Sequence, residues 1–435
     1  MAIRFDNESG QRFTHRHLSK TSFLMSPERL NAAAPGCSYF TPKQCIPAGT
    51  AVSTDRPVIF QPLKIRDVTF HNRIFVAPMC TFSADDGHLT DFHFQHLSVF
   101  AFRGAGLTTI EATSVSADGR ISPEDSGLWK DSQIAPIKRI AEFVHSQGQK
   151  LAIQLAHAGR KASTLSPWAA GGTGNVIATE EQAGWPKDVV GPSTSSWGAG
   201  TCTPNEMSKA DIEAVIADFG SAARRAVEAG VDVIEIHAAH GYLFHQFLSK
   251  ISNQRTDEYG GSWENRLRVP CGMIKAVRDA MPSSMPLFVR VSVTEWLEEV
   301  MPDSWVFEDT LRLVKMFPDL GVDLVDVSSA GNHEKQKIFT GNEYQVNLAG
   351  KLRGELAAAN CPVYVGAVGR ITDPVAARDI VGGNPEKDIP AKADVIFVGR
   401  QFLRDPAWVV TVGNKIGVKV QVPVQYQGAK SVSGS

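Results

Sequence analysis

Several large protein classes are excluded by what this 435-residue chain does not contain. No apolar run approaches the roughly 18 residues needed to cross a bilayer, so no helical membrane span is expected. The start of the chain lacks the apolar segment of a secretory signal, and Asp6 and Glu8 argue against a mitochondrial leader. Cysteine is sparse and scattered: Cys37, Cys45, Cys80, Cys202, Cys271 and Cys361 form no CxxC pair. That spacing indicates neither a cysteine zinc site nor a dense disulfide framework, and it favours a reducing, cytoplasmic setting. Charge is balanced as well. With a formal net charge of −2 and no long basic or acidic run, neither nucleic acid nor a membrane surface is an expected partner, and small molecules are. No internal repeat suggests a solenoid. What remains, at 43% hydrophobic and 21% charged residues, is the composition of a globular protein able to bury a large core.

Residues 1–56 show no sustained period and include the turn-rich piece AAAPGCSYFTPKQCIPAGT, which reads as an irregular N-terminal arm. From Pro57 the pattern changes. Short apolar runs alternate with amphipathic segments: RIFVAPM at 73, LTTIEATSV at 107, LAIQLAH at 151, VDVIEIHAAH at 231, PLFVRVSV at 286, VDLVDVSS at 322, CPVYVGAV at 361 and ADVIFVGR at 393. Eight strands, each followed by helical sequence, predict a parallel sheet closed as a (β/α)8 TIM barrel over residues 57–426, with a short tail at 427–435. Helices are predicted from Ser208, which can cap with Asp211, to Gly230; from Trp263 to Val277; and from Asp303 to Phe317. The connection 161–207, rich in Gly, Pro, Ser and Trp, is too long for a barrel loop and reads as a lid or subdomain over the mouth.

The sharpest local signal is the end of the fourth strand, where His237 and His240 are followed by Tyr242. Buried strands fix side chains that the next loop leaves accessible, which is how such barrels build sites. Three readings stand: histidines satisfied by backbone; a zinc site drawing on His93, His96 or His157; and two imidazoles donating to a substrate oxygen with Tyr242 as proton donor. Only the third uses all three side chains. Cys80 follows the first strand, Gln154 lies in the third, and Arg290 in the fifth is costly to bury unless it meets an anion or a buried ion pair. GAVGR (Gly366 to Arg370) and VGRQFLRDP (Val398 to Pro406) follow strands seven and eight, where barrels commonly bind phosphate.

Together these pieces resemble the old yellow enzyme family of FMN-dependent ene-reductases, in particular its bacterial-type subclass and fungal relatives. The resemblance is carried by NRIFVAPMC, HLTDFH, EATSV, GRISPEDSGLW, IQLAHAGRKA, DVIEIHAAHGYL, FLSKISNQRTDEYGGSWENR, PLFVRVS, GAVGRIT and VIFVGRQFLRDP. It implies a tightly but non-covalently bound FMN, with NADPH or NADH as reductant. Ala77, Pro78, Met79 and Cys80 would contact the flavin ring, Ala112 and Gln154 its pyrimidine edge, Arg290 its N1 side, and Gly366, Ala367, Gly399 and Arg400 its phosphate. His237 and His240 would hold the carbonyl oxygen of an enone, the flavin would pass hydride to the β-carbon, and Tyr242 would protonate the α-carbon. Phe82 stands where the subclass often has tyrosine, and the tail VQYQGAK lacks the arginine that some members send into a neighbour's site. A homodimer is expected, without a shared site. The nearest alternatives are a dienoyl-CoA reductase-like FMN barrel, whose cysteine cluster is missing here, and a metal-dependent hydrolase using His237 and His240.

Overall fold

The computed structural model describes residues 31–172, 175–338, 341 and 343–429. Eight parallel strands close a barrel: β1 (Ile74–Val76), β2 (Leu107–Ser114), β3 (Leu151–Ala156), β4 (Val233–Ala238), β5 (Leu287–Ser292), β6 (Leu324–Ser328), β7 (Tyr364–Val368) and β8 (Val395–Val398). Each falls within a run read from the sequence. Every residue of β2 to β6 is buried, because one face lines the barrel and the other packs on helices. The helices are α1 (Asp91–Phe102), α2 (Ile134–Ser146), α3 (Lys209–Ala229), α4 (Leu243–Leu248), α5 (Trp263–Ala280), α6 (Phe307–Val314), α7 (Tyr344–Ala358), α8 (Pro374–Gly382), α9 (Arg400–Arg404) and α10 (Trp408–Lys415).

The interior of the barrel is plugged from below. Phe75, Leu107, Val233, Phe288, Leu324 and Phe397 fill it, and a hairpin of Leu63–Ile65 with Val68–Phe70 pushes Leu63, Ile65 and Phe70 against them. The Phe70 and Phe75 rings lie 4.9 Å apart. Only the carboxyl end of the strands is therefore open to a ligand. At the closed end, residues 49–52 pair with the C-terminal segment: Gly49 N–H donates to Gln421 O at 2.9 Å and Val52 N–H to Lys419 O at 3.0 Å. Residues 1–30 of the expected arm lie outside the described residues.

Helix α3 begins as its sequence requires. Ser208 Oγ accepts from Asp211 N–H at 3.2 Å while Asp211 Oδ2 accepts from Ser208 N–H at 2.8 Å, and Gly230, at φ 87°, ends the helix in the left-handed conformation. Ser208→Ala removes one of these reciprocal bonds and is expected to cost about 1 kcal/mol in urea unfolding. The third predicted helix is shorter than expected. It starts at Phe307 rather than Asp303, because Trp305 is buried and pinned, its backbone N–H on Glu295 Oε2 (2.8 Å) and its indole N–H on Thr310 Oγ1 (2.7 Å).

The long connection after β3 carries little regular structure beyond a two-residue ladder, Val190–Gly191 with Asn205–Glu206. Side chains from the barrel fix it in place. Arg160 donates to Ser195 O (3.2 Å), Ser196 O (3.3 Å) and Asn332 Oδ1 (3.0 Å); Arg255 donates to Pro192 O (3.1 Å) and Met207 O (2.7 Å). Trp197 Nε1–H reaches Gly331 O at 2.7 Å in the loop after β6. The segment is thus tied to the chain that follows β3, α4 and β6.

Candidate active site

The chain leaves β4 through two consecutive left-handed residues, His240 (φ 59°) and Gly241 (φ 71°). A Cβ at Gly241 would sit 2.3 Å from Gly331 O, so only glycine fits this turn. The turn is held by His240 N–H on Ser292 Oγ (2.9 Å) and Gly241 N–H on His245 Nδ1 (3.0 Å), and it throws Tyr242 back over His237. The two rings meet edge to face at 4.8 Å.

The tautomers follow from the backbone. His237 Nδ1 accepts from Ala239 N–H at 3.2 Å, so its proton is on Nε2, aimed at His240 Nδ1 at 3.3 Å. His240 Nε2–H then meets Ser328 Oγ at 2.6 Å. Burial holds His237 well below the usual imidazole range, with His240 and Arg290 adding to it. His240 is lowered in the same way by burial, Arg290 and Lys161. Both are neutral donors at neutral pH. Burial raises the Tyr242 phenol above its ordinary value, with Cys80 and Asp125 adding to it, so it keeps its proton.

Below them lies a charged floor. Register sets Arg290 opposite Asp326 across β5 and β6, and Gln154 opposite Glu235 across β3 and β4. Arg290 Nε donates to Asp326 Oδ2 at 2.5 Å and lies 3.8 Å from Glu235 Oε1; Gln154 Nε2 donates to Glu235 Oε1 at 2.7 Å. Burial alone would lower the Arg290 guanidinium, but Asp326 and Glu235 hold it above its ordinary value. Burial raises both carboxyls, with Arg290 opposing. Of the two readings of Arg290, the one on view is the buried ion pair. Glu235 and Asp326 escaped the sequence reading, although an acidic residue inside a Val/Ile strand was a visible signal for each.

From this floor a cleft of about 550 Å3 opens toward β7 and β8, lined by Ala77, Pro78, Met79, Arg290, Gly399 and Arg400, and walled by Val368 to Thr372, Gln401 and Arg404. Gly366 and Ala367 are not on its wall. They lie inside β7, paired in register with Asp326 and Val327, and a Cβ on Gly366 would strike the Phe397 ring at 2.6 Å. The GAVGR motif overlaps the end of the strand rather than following it, so the glycine on the wall is Gly369.

The loop after β1 is positioned by Glu111, where the β2–β3 register shifts between Ile110 and Ala112. Glu111 accepts from Thr81 N–H (2.9 Å) and Thr81 O–H (2.7 Å), which fixes the chain around Cys80. Burial, Asp125 and Glu111 hold the Cys80 thiol well above its usual range, so it stays protonated. Phe82, at φ 48°, packs edge-on to Trp168 of the long connection at 5.6 Å. Ala112 and Tyr242 share the wall of a separate small cavity.

Lys161 also belongs to the mouth. Its ammonium lies 4.9 Å above the Tyr242 ring, donates to His240 O at 2.9 Å and Gly331 O at 3.2 Å, and is pushed down to about 7 by burial and by Arg160. The hydrolase alternative finds no support: among the described residues no group of three or more His, Cys, Asp and Glu could hold a metal ion. His93 is turned to Thr81 and Glu111, and His157 Nδ1 accepts from Gly159 N–H at 3.0 Å. No helix among the described residues is long and apolar enough to cross a membrane.

Residues 58–418 match the model of the NADH:flavin oxidoreductase / NADH oxidase family. The chain is 48% identical over 404 residues to an NADH:flavin oxidoreductase of Gibberella zeae, covering 91% of this chain and 94% of that protein. It is 40% identical over 372 residues to the NADPH dehydrogenase of Bacillus subtilis, covering 85% and 98%. Among solved structures, morphinone reductase superposes with a TM-score of 0.64 at 24% identity over 86% of this chain and 93% of that one. 2-Naphthoyl-CoA reductase superposes with a TM-score of 0.69 at 23% identity over 82% of this chain, which spans about half (52%) of that longer protein. These two likenesses concern the fold. The chain thus belongs to the NADH:flavin oxidoreductase / NADH oxidase family, the old yellow enzyme family of the sequence resemblance, and is an oxidoreductase with FMN as cofactor and NAD(P)H as reductant.

Proposed function

We propose that this enzyme reduces the C=C bond of α,β-unsaturated carbonyl compounds. The observation that carries the reading is the arrangement at the end of β4: two neutral imidazoles side by side and a protonated phenol against one of them, with His237 paired in register beside Arg290.

The cleft residues fit FMN. Glu235 Oε2 and Asp326 Oδ1 are buried without a hydrogen-bond partner among the described residues, which calls for a polar ligand edge at the floor. With Gln154 they would hold the pyrimidine side of the ring, and Arg290 would stabilise its reduced, anionic form. Ala77, Pro78, Met79 and Cys80 would lie along the ring, with Ala112 near its edge. The far end of the cleft, with Gly369, Gly399, Arg400 and Arg404, suits a phosphate. When bound, FMN stores the hydride that NAD(P)H brings and that the β-carbon of the alkene takes.

The chain's own groups do the rest. A carbonyl oxygen above the floor accepts from His237 Nε2–H in place of His240. His240 then shifts its proton to Nδ1 and donates too, because the Ser328 hydroxyl can donate to the vacated Nε2. The two donors draw electron density from the β-carbon as charge develops on oxygen. Tyr242 supplies the proton to the α-carbon. Trp168 and Phe82, with the segment 161–207, cover the mouth as a lid that limits water and shapes the substrate space.

The test is the visible absorption spectrum under anaerobic conditions. A flavin spectrum that bleaches with NADPH and returns on adding cyclohexenone supports the reading. A reduced flavin that enones leave bleached, while oxygen or quinones restore it, overturns it.

A further inference from the structure

Tyr242 also lines a second cavity, of about 10 Å3, close to the space one water needs. Its wall includes Tyr242, Ser114 and Gly119, and one carboxylate, Asp125. Asp125 is only 2% exposed. Its Oδ2 is fixed by Ile121 N–H (2.6 Å) and Ser122 N–H (3.2 Å), whereas its Oδ1 is buried with no hydrogen-bond partner among the described residues. An unpaired carboxylate oxygen is costly to bury, and protonation is one way to relieve the cost. Nothing in the hydride and carbonyl chemistry above uses this group.

We propose that Asp125 is the proton reservoir that recharges Tyr242 between turnovers, through the water-sized cavity the two share. The proposal rests on the ene-reduction reading. When the α-carbon takes its proton, the Tyr242 O–H bond breaks, a C–H bond forms, and a tyrosinate is left. The Asp125 O–H bond then breaks, the proton crosses directly or over one water, and the Tyr242 O–H bond reforms. The carboxylate recovers its proton from solvent, so no electrons are exchanged. The direction is favourable. Burial pushes the Asp125 carboxyl up to about 7, opposed by the two backbone donors, and burial raises Tyr242 further, so the phenolate is the stronger base. The other ionisable groups that bear on Asp125 are Glu111 from β2, Cys80 from the loop after β1, and Arg120 of its own loop.

Asp125→Asn tests the idea, since the amide oxygen can still accept from Ile121 and Ser122 but the exchangeable proton is gone. In the FMN-loaded enzyme, reduction by NADPH and the first turnover of pre-reduced enzyme with cyclohexenone are expected to match the parent. Later turnovers at about pH 6, where Asp125 of the parent holds its proton, should slow about tenfold, with tyrosinate absorbance persisting after the burst. Asp125→Glu should restore them. Equal loss in the first and later turnovers, or no loss in either, overturns the proposal. Should the asparagine variant not fold, the parent decides. Its multiple-turnover rate should fall as pH rises through about 7 while its first turnover stays level, and two parallel profiles would refute the reservoir. A parent whose flavin enones never reoxidise sinks the ene-reduction reading itself, and the reservoir with it.

Discussion

Tyr242→Phe is expected to slow reoxidation of the reduced enzyme by cyclohexenone about 10²–10⁴-fold, the range for a lost general acid, while reduction by NADPH stays unchanged. At 1.36 kcal/mol per tenfold, that is about 3–5 kcal/mol of transition-state stabilisation. The substitution removes one oxygen. The ring that meets His237 edge to face at 4.8 Å and lies under the Lys161 ammonium at 4.9 Å remains, so the mouth should keep its shape. His237 and His240 still hold the carbonyl, and NAD(P)H requires no proton from the phenol. Stopped-flow absorbance of the two half-reactions separates the cases. Equal loss in both would assign Tyr242 to binding rather than protonation. Because burial raises the phenol above its ordinary value, loss of its proton should not limit the parent enzyme near neutral pH.

The barrel was legible because the strands are buried on both faces and so read as short apolar runs, whatever lies beside them. The core of the site was legible for a related reason. His237, His240 and Tyr242 fall within six residues, so one strand end and one tight turn bring them together without knowledge of the rest of the chain. What stayed hidden depends on register and closure. Arg290 announces itself as a cation in an apolar strand, but that Asp326 stands opposite it is set by the β5–β6 pairing. Glu111 acts through a register shift, and Asp125 shares a cavity wall with Tyr242 only because tertiary folding brings the loop after β2 beside the turn after β4. Gly366 and Ala367 show the opposite case: the motif spans the strand end, so these two lie inside β7 while Val368, Gly369 and Arg370 line the cleft.

Arg290→Met is expected to cost about 3–5 kcal/mol in stability, because it strands two buried carboxylates and leaves their cation unreplaced. Glu235 is 1% and Asp326 0% exposed, so neither can turn to water. In the parent, burial already raises both carboxyls and Arg290 opposes it. Without the guanidinium both rise further, and the folded variant holds protons that the unfolded chain releases above about pH 4. A carboxyl raised in the folded state gives stability that is fully present below its unfolded pKa and lost as pH climbs through its folded one. The gap in thermal unfolding temperature between parent and variant should therefore be narrow near pH 5 and wide near pH 8, and FMN retention should follow the same trend because the floor beneath the ring becomes a pair of uncompensated anions. Thermal unfolding by circular dichroism across that range checks it. A gap independent of pH would mean that the two carboxylates are not what Arg290 holds in place, and that its packing against the Phe397 ring at 5.9 Å carries the loss instead.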